Sequence, residues 1–509
     1  MMKRIQWMRW SAICAIIALS ACNGGSGTSA PFAPPPPNGT GILSQIVGVG
    51  DSLTAGMQSG GLLGIPTTNP ISILPGHLVP PTQENGWWAL LYEQAKGVSP
   101  AFMANPATSV LPLINPPGLG AQLVPTAALF GATHSSCDAF NQAGYSRGGA
   151  TTTRANPATT PLDLGIPGLT VHEALAMIGP IAPTCVPLQG NDPTIALQAV
   201  VSGESGEFFP ILGNFVNALG NQTTEVNSAI ALHPTLTTVW LGANDLLKFA
   251  FSGGKAPIDS PGQMQTDLVQ IIQKLQGAGS RVVIANLPDI LSTPQFLQGG
   301  PTMQATLTPF FERPPFNLPQ PVAAGLAAQI TAFVASVYGV GPNGYLTLPG
   351  LAKIFLALQT NPTNPHFNTL NNATCVGPGS TLVNPAGTPP ECDFFQDAYA
   401  AQVQGLNNAF NGSIGSAAQQ TSTPLVDVHQ LFVTIKANGG VPINPPICCN
   451  LQFGGGLLSL DGLHPSNTAY ALLANTFIGV IDQAFSVSIP PLTQAQIFAI
   501  YSTDPYAPH

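Results

Sequence analysis

Four short apolar runs punctuate the chain: Ile46-Val47-Gly48-Val49, Thr238-Val239-Trp240-Leu241, Val282-Val283-Ile284-Ala285 and Leu425-Val426-Asp427-Val428. Each is too short for a helix and rich in β-branched and aliphatic side chains, which predicts strands buried on both faces. Between them, apolar residues recur at helical spacing. The clearest case is Gln263–Gln276, where Met264, Leu268, Ile271, Ile272 and Leu275 form one stripe. Ala-rich, apolar-periodic segments predict further helices at Val322–Tyr338, Phe394–Gln420 and Asn467–Phe485, and a shorter one at Val171–Ile178. Strands alternating with helices predict an α/β body around a mostly parallel sheet. The stretches 59–161, 291–318, 345–392 and 434–459 are dense in Pro, Gly and Asn and predict long loop insertions on that body. No period of 20 to 50 residues suggests a repeat fold.

Composition sharpens this outline. A chain of 509 residues can bury an enzyme-sized core. Only 7% of its residues are charged, so Ser, Thr, Asn and Gln must carry most of the surface. The net charge of −9, with no basic run beyond the extreme N-terminus, offers nothing to a phosphate backbone and argues against nucleic-acid binding.

The N-terminus reads as export machinery. Lys3, Arg4 and Arg9 precede the short apolar run Ser11–Leu19, which is too short to span a bilayer. It ends in Leu19-Ser20-Ala21-Cys22, which resembles the lipobox of bacterial lipoproteins. The resemblance implies a signal peptide over 1–21, lipidation at Cys22 and a lipid-anchored place in the bacterial cell envelope, at the outer membrane or facing the periplasm. An ordinary signal peptide cut near Ala21 is the alternative. A Gly/Ser/Pro-rich stretch over 22–41 has the composition of an extended tether. In an oxidising compartment the remaining Cys137, Cys185, Cys375, Cys392, Cys448 and Cys449 form an even set. Proximity suggests Cys137 with Cys185, Cys375 with Cys392 and Cys448 with Cys449, one of fifteen schemes. No C-x-x-C or H-x-x-x-H spacing suggests zinc, and no metal or organic cofactor is expected.

The candidate chemistry lies where strands end. Gly50-Asp51-Ser52-Leu53 follows the first predicted strand, at the carboxyl edge where a parallel sheet exposes a nucleophile. A serine needs a base, and the base needs an orienting group. Asp461-Gly462-Leu463-His464, just before the last long predicted helix, lets a carboxylate fold back onto an imidazole within one loop. Donors for an oxyanion would come from Asn244, in Gly242-Ala243-Asn244-Asp245, and from a glycine whose bare backbone can approach a ligand. Gly168 is preferred because Pro167-Gly168 leads into a helix N-terminus, with Gly144 or Gly148 as rivals. Asp427 and His429 share a face of the fourth predicted strand and form a second possible pair, disfavoured because a strand is not a loop at the site.

Taken in order, GDSL, a Gly loop, G-x-N-D and D-x-x-H resemble the four sequence blocks of the SGNH/GDSL hydrolase superfamily. The resemblance implies a flavodoxin-like three-layer α/β sandwich over 42–490, followed by a C-terminal tail over 491–509. It implies that Ser52, Asp461 and His464 form a catalytic triad, with the Ser52 and Gly168 N–H groups and the Asn244 amide as oxyanion hole. Relatives often carry Asn a few residues before the Gly of the second block, where this chain has Asp163 and Leu164. The implied activity is ester hydrolysis through an acyl-enzyme, on a lipid or other small-molecule acyl ester. An O-acetyl esterase or acyltransferase acting on envelope polysaccharide, and a non-catalytic binding lipoprotein, are the alternatives.

Overall fold

In the computed structural model, the described residues fall mainly in 41–58, 61–64, 81–98, 109–115, 154–176, 223–254, 258–312, 317–348 and 392–508, a few positions inside those ranges excepted. Cys22, the tether up to residue 40, Cys137, Cys185, the Cys375 side chain, Gly144 and Gly148 lie outside them. Cys448 and Cys449 are joined as a disulfide.

The four apolar runs form one parallel sheet in the order of the chain: β1 (Ile46–Gly50), β2 (Leu236–Trp240), β3 (Arg281–Ala285) and β4 (Leu425–Val426). Gly48 faces Thr238, Thr238 faces Val283 and Ile284 faces Leu425. On the free side of β1 a further segment runs parallel to it through Asp163 opposite Gly48.

Helices cover the sheet on both faces, and the right-handed crossover rule accounts for which goes where. Growing from β1 to β4 in one direction puts the intervening helices on one side: α3 (Glu225–Ala231), α5 (Pro261–Gly277) and α8 (Asp397–Gln420). There α5 packs against α3, α8 and the short α2 (Val171–Ala176), and α8 against α4 (Ala243–Phe251). The step from β1 to the 162–166 edge runs the opposite way and carries α1 (Trp87–Lys96) to the other face, against α10 (Asn467–Phe485). Trp87 of α1 stacks on Phe477 of α10 at 3.9 Å between ring centroids, with Trp240 of β2 5.9 Å from both. All three are fully buried. Truncating any one to alanine would cost about 3–5 kcal/mol.

Four local expectations change. Asp427-Val428-His429 is not strand: β4 stops at Val426, Asp427 caps a helix by accepting the Gln430 N–H at 2.9 Å, and α9 (Val428–Ala437) begins, burying Val428, Phe432 and Ile435. Phe394 and Phe395 form a short strand, and α8 starts only at Asp397. The described parts of the 291–318 and 345–392 insertions are organised. Strands at Phe296–Gln298, Tyr345–Thr347 and Phe394–Phe395 pair, and α6 (Pro301–Glu312) packs on α7 (Gln320–Tyr338). Leu297, Met303, Leu307, Phe311, Ile330 and Val334 are among the residues that give this unit its own small core. Finally, 491–509 carries α11 (Gln494–Thr503), opened by a Thr493/Gln496 capping box. Asp504 just after it takes the Thr468 N–H at 2.8 Å, satisfying a free donor in the first turn of α10.

Candidate active site

Parallel strands end on the same edge, so the turn after β1 and the helix start after β2 are neighbours. After Gly50 the chain closes a tight turn in which the Asp51 carbonyl accepts the Thr54 and Ala55 N–H groups and the Ser52 carbonyl accepts that of Met57. The Asp51 carboxylate takes the Leu53 N–H at 2.9 Å. Gly165 presses against this turn: a Cβ there would sit 2.5 Å from Ala55 N and 2.9 Å from the Asp51 carbonyl oxygen, so no larger residue fits. Ser52 is thereby fixed at the strand end and nearly buried.

His464 reaches the same point from the far end of the chain. Its Nε2 lies 2.9 Å from Ser52 Oγ across 412 positions, and its Nδ1 lies 2.6 Å from Asp461 Oδ2. The Asp461 Oδ1 accepts the N–H groups of Leu463 at 2.8 Å and His464 at 2.9 Å, and the Ser459 hydroxyl at 3.2 Å. Gly462 turns this loop with φ +69°, and its carbonyl receives the Gln295 N–H at 3.0 Å. The loop is thus braced by the 291–318 segment, a contact not foreseen from the sequence. Ser466, two residues past His464, caps α10.

The candidate oxyanion residues flank the serine. Gly168 has φ +84°, a conformation that favours glycine. Among the described residues nothing accepts a hydrogen bond from its N–H. The first turn of α4 clamps this loop: Asp245 accepts the Val171 N–H at 3.1 Å, and the Asn244 amide donates to the Leu169 carbonyl at 3.1 Å. That amide also donates to Asp51 Oδ2 at 3.2 Å, so both its hydrogens are engaged.

The electrostatics match the geometry. Burial disfavours a charged His464, but the Asp461 carboxylate overcomes it and holds the imidazole pKa above its ordinary value. Burial likewise works against the Asp461 charge, and His464 with the two backbone donors holds the carboxyl below its usual range. Asp51 is pushed up to about 7 by burial, against the Leu53 N–H. Asp163 rises to about 8 for the same reason, its carboxylate meeting the Gly165 N–H. Asp163 therefore serves the sheet edge next to β1. Away from this site, His172, Asp259 and Asp267 bring possible ligand atoms within 4.8 Å of one another, with His172 already paired to Asp267 at 2.9 Å.

Residues 46–336 match the family of GDSL-like lipases and acylhydrolases, more than half of the chain. The chain belongs to that family. Its central parallel sheet with flanking helices is the fold of SGNH/GDSL hydrolases, and membership places the protein among hydrolases of ester bonds. The match takes in Ser52, Gly168 and Asn244 and stops before Asp461 and His464, which the folded chain brings to Ser52. No curated protein matches the chain.

Proposed function

We propose that this GDSL hydrolase is a serine carboxylic ester hydrolase in which Ser52 is the nucleophile, His464 its general base and Asp461 the group that orients and charges the base. The observation that carries the reading is the unbroken relay from Asp461 through His464 to Ser52. Asp461 accepts a hydrogen bond from the Nδ1–H, fixing the tautomer that leaves the Nε2 lone pair facing Ser52 Oγ. As Oγ attacks the ester carbonyl, its proton passes to Nε2, and the imidazolium then gives that proton to the departing alkoxide. Water repeats the sequence on the acyl-enzyme, releasing the acid. The N–H groups of Ser52 and Gly168 face the developing oxyanion. The Asn244 amide joins them by turning away from the Leu169 carbonyl, each such donor being worth about 3–4 kcal/mol.

The substrates proposed are lipid or short-chain acyl esters, met at the bacterial envelope by a catalytic body tethered through a lipid on Cys22. Labelling with a fluorophosphonate probe tests the chemistry: a Ser52-dependent adduct is expected, and its absence on folded protein refutes the mechanism. A panel of p-nitrophenyl esters of rising chain length beside acetylated glycans tests the substrate. Preference for the glycans overturns the lipid reading.

A further inference from the structure

The ladder beside β1 has one hydrogen bond replaced just before the nucleophile. Along this edge the Gly48 N–H donates to the Leu162 carbonyl at 2.9 Å, the Leu164 N–H to Gly48 at 3.0 Å and the Ile166 N–H to Gly50 at 2.9 Å. In a regular parallel ladder the remaining donor, the Gly50 N–H, would go to the Leu164 carbonyl. It goes instead to Glu225 Oε1 at 2.7 Å. Glu225 is the first residue of α3, which packs on β1 from 175 positions away.

This arrangement is costly. Glu225 is fully buried, and among the described residues its Oε2 has no hydrogen-bond partner. Burial, together with the nearby carboxyls of Asp51 and Asp163, raises its pKa well above the ordinary value and favours the neutral acid. If the sheet needed only an acceptor for Gly50, the Leu164 carbonyl would supply one without burying an acid. The side chain does something that carbonyl does not: it is anchored to a helix, so it fixes the Val49–Gly50 peptide from α3 and not from the neighbouring edge.

We infer that Glu225 is a positioning residue for the nucleophile, holding Gly50 through its carboxyl oxygen so that the Asp51-Ser52 turn presents Ser52 Oγ to His464. The inference rests on the serine mechanism proposed above. A displacement of about 1 Å at a reacting atom can cost about 10²-fold in rate. Ser52 lies two residues from the held N–H, with one ladder bond between them, from the Ile166 N–H to the Gly50 carbonyl.

Glu225→Gln keeps an acceptor oxygen at the same reach, Glu225→Met fills the space without one, and Glu225→Asp withdraws it by one methylene. Steady-state kinetics on p-nitrophenyl butyrate are normalised to sites titrated with fluorophosphonate, with circular dichroism and thermal unfolding run alongside. The Gln variant is expected to keep kcat within about 3-fold. Folded Met and Asp variants are expected to lose at least about 10-fold in kcat per titrated site, with KM within about 2-fold. Folded Met and Asp variants within 3-fold of the Gln variant overturn the inference. So does a loss of activity that only tracks the loss of folded protein, or a failure of the Gln variant, or of both others, to fold. An unlabelled parent protein would instead bring down the serine mechanism itself.

Discussion

Asp461→Asn separates orientation from mere packing at the base. An asparagine can keep its oxygen on the Leu463 and His464 N–H groups, bonds of 2.8 and 2.9 Å, so the loop should survive. Its amide nitrogen then faces His464 Nδ1, where a carboxylate oxygen stood 2.6 Å away. The amide donates, Nδ1 must accept, and the ring proton moves to Nε2, which points at Ser52 and can no longer take its proton. The lost charge adds to this: a unit charge about 4 Å from the imidazolium is worth about 4 kcal/mol at an effective dielectric of 20, or about 10³-fold. Together with the wrong tautomer, a fall of about 10⁴-fold in kcat is expected. The pH profile supplies a second readout. In the parent, kcat/KM should rise with pH through a His464 pKa above its ordinary value, because only the neutral ring is a base. In the variant burial meets less opposition, so that limb should move to lower pH. Rates on p-nitrophenyl butyrate from pH 5 to 9, normalised to folded protein, decide it. A loss under 10-fold with an unmoved limb would refute the relay.

Two further outcomes follow from the same structure. Asn244→Ala should lower kcat about 10²- to 10³-fold with little change in KM, since the amide is needed only once the oxyanion forms; a change confined to KM would assign Asn244 to substrate binding. Asp163 has its pKa raised to about 8, so the folded protein holds this proton longer than the unfolded chain does, and stability is lost as pH rises from about 4 to about 8. Asp163→Asn cannot ionise, so its melting temperature should gain on the parent between pH 5 and pH 8, and a constant difference would contradict the burial argument.

What the sequence made legible was what is local. Ser52, Asn244 and the Asp461–His464 pair each sit within a few residues of a strand end or helix start, where apolar runs and caps leave a readable pattern. The α6 helix escaped notice although Met303, Leu307 and Phe311 recur every four residues, because Pro309 lies inside it and a proline usually signals a break. His429 looked like a strand residue because an apolar run crosses Asp427, whose capping role shows only once the helix behind it has packed.

Glu225 left no signal at all. An acidic residue behind a threonine cap is what any helix start prefers, so its type and place read as local electrostatics. Its bond to Gly50 exists only because α3 crosses under β1. The same holds for Gln295, a residue of a supposed loop that braces the base-bearing turn at Gly462. Both contacts act on backbone, where the side chain at the receiving end is absent and so cannot advertise its partner. Residues that do the chemistry are therefore readable in this chain, while those that hold them in place depend on topology and must be found in the fold.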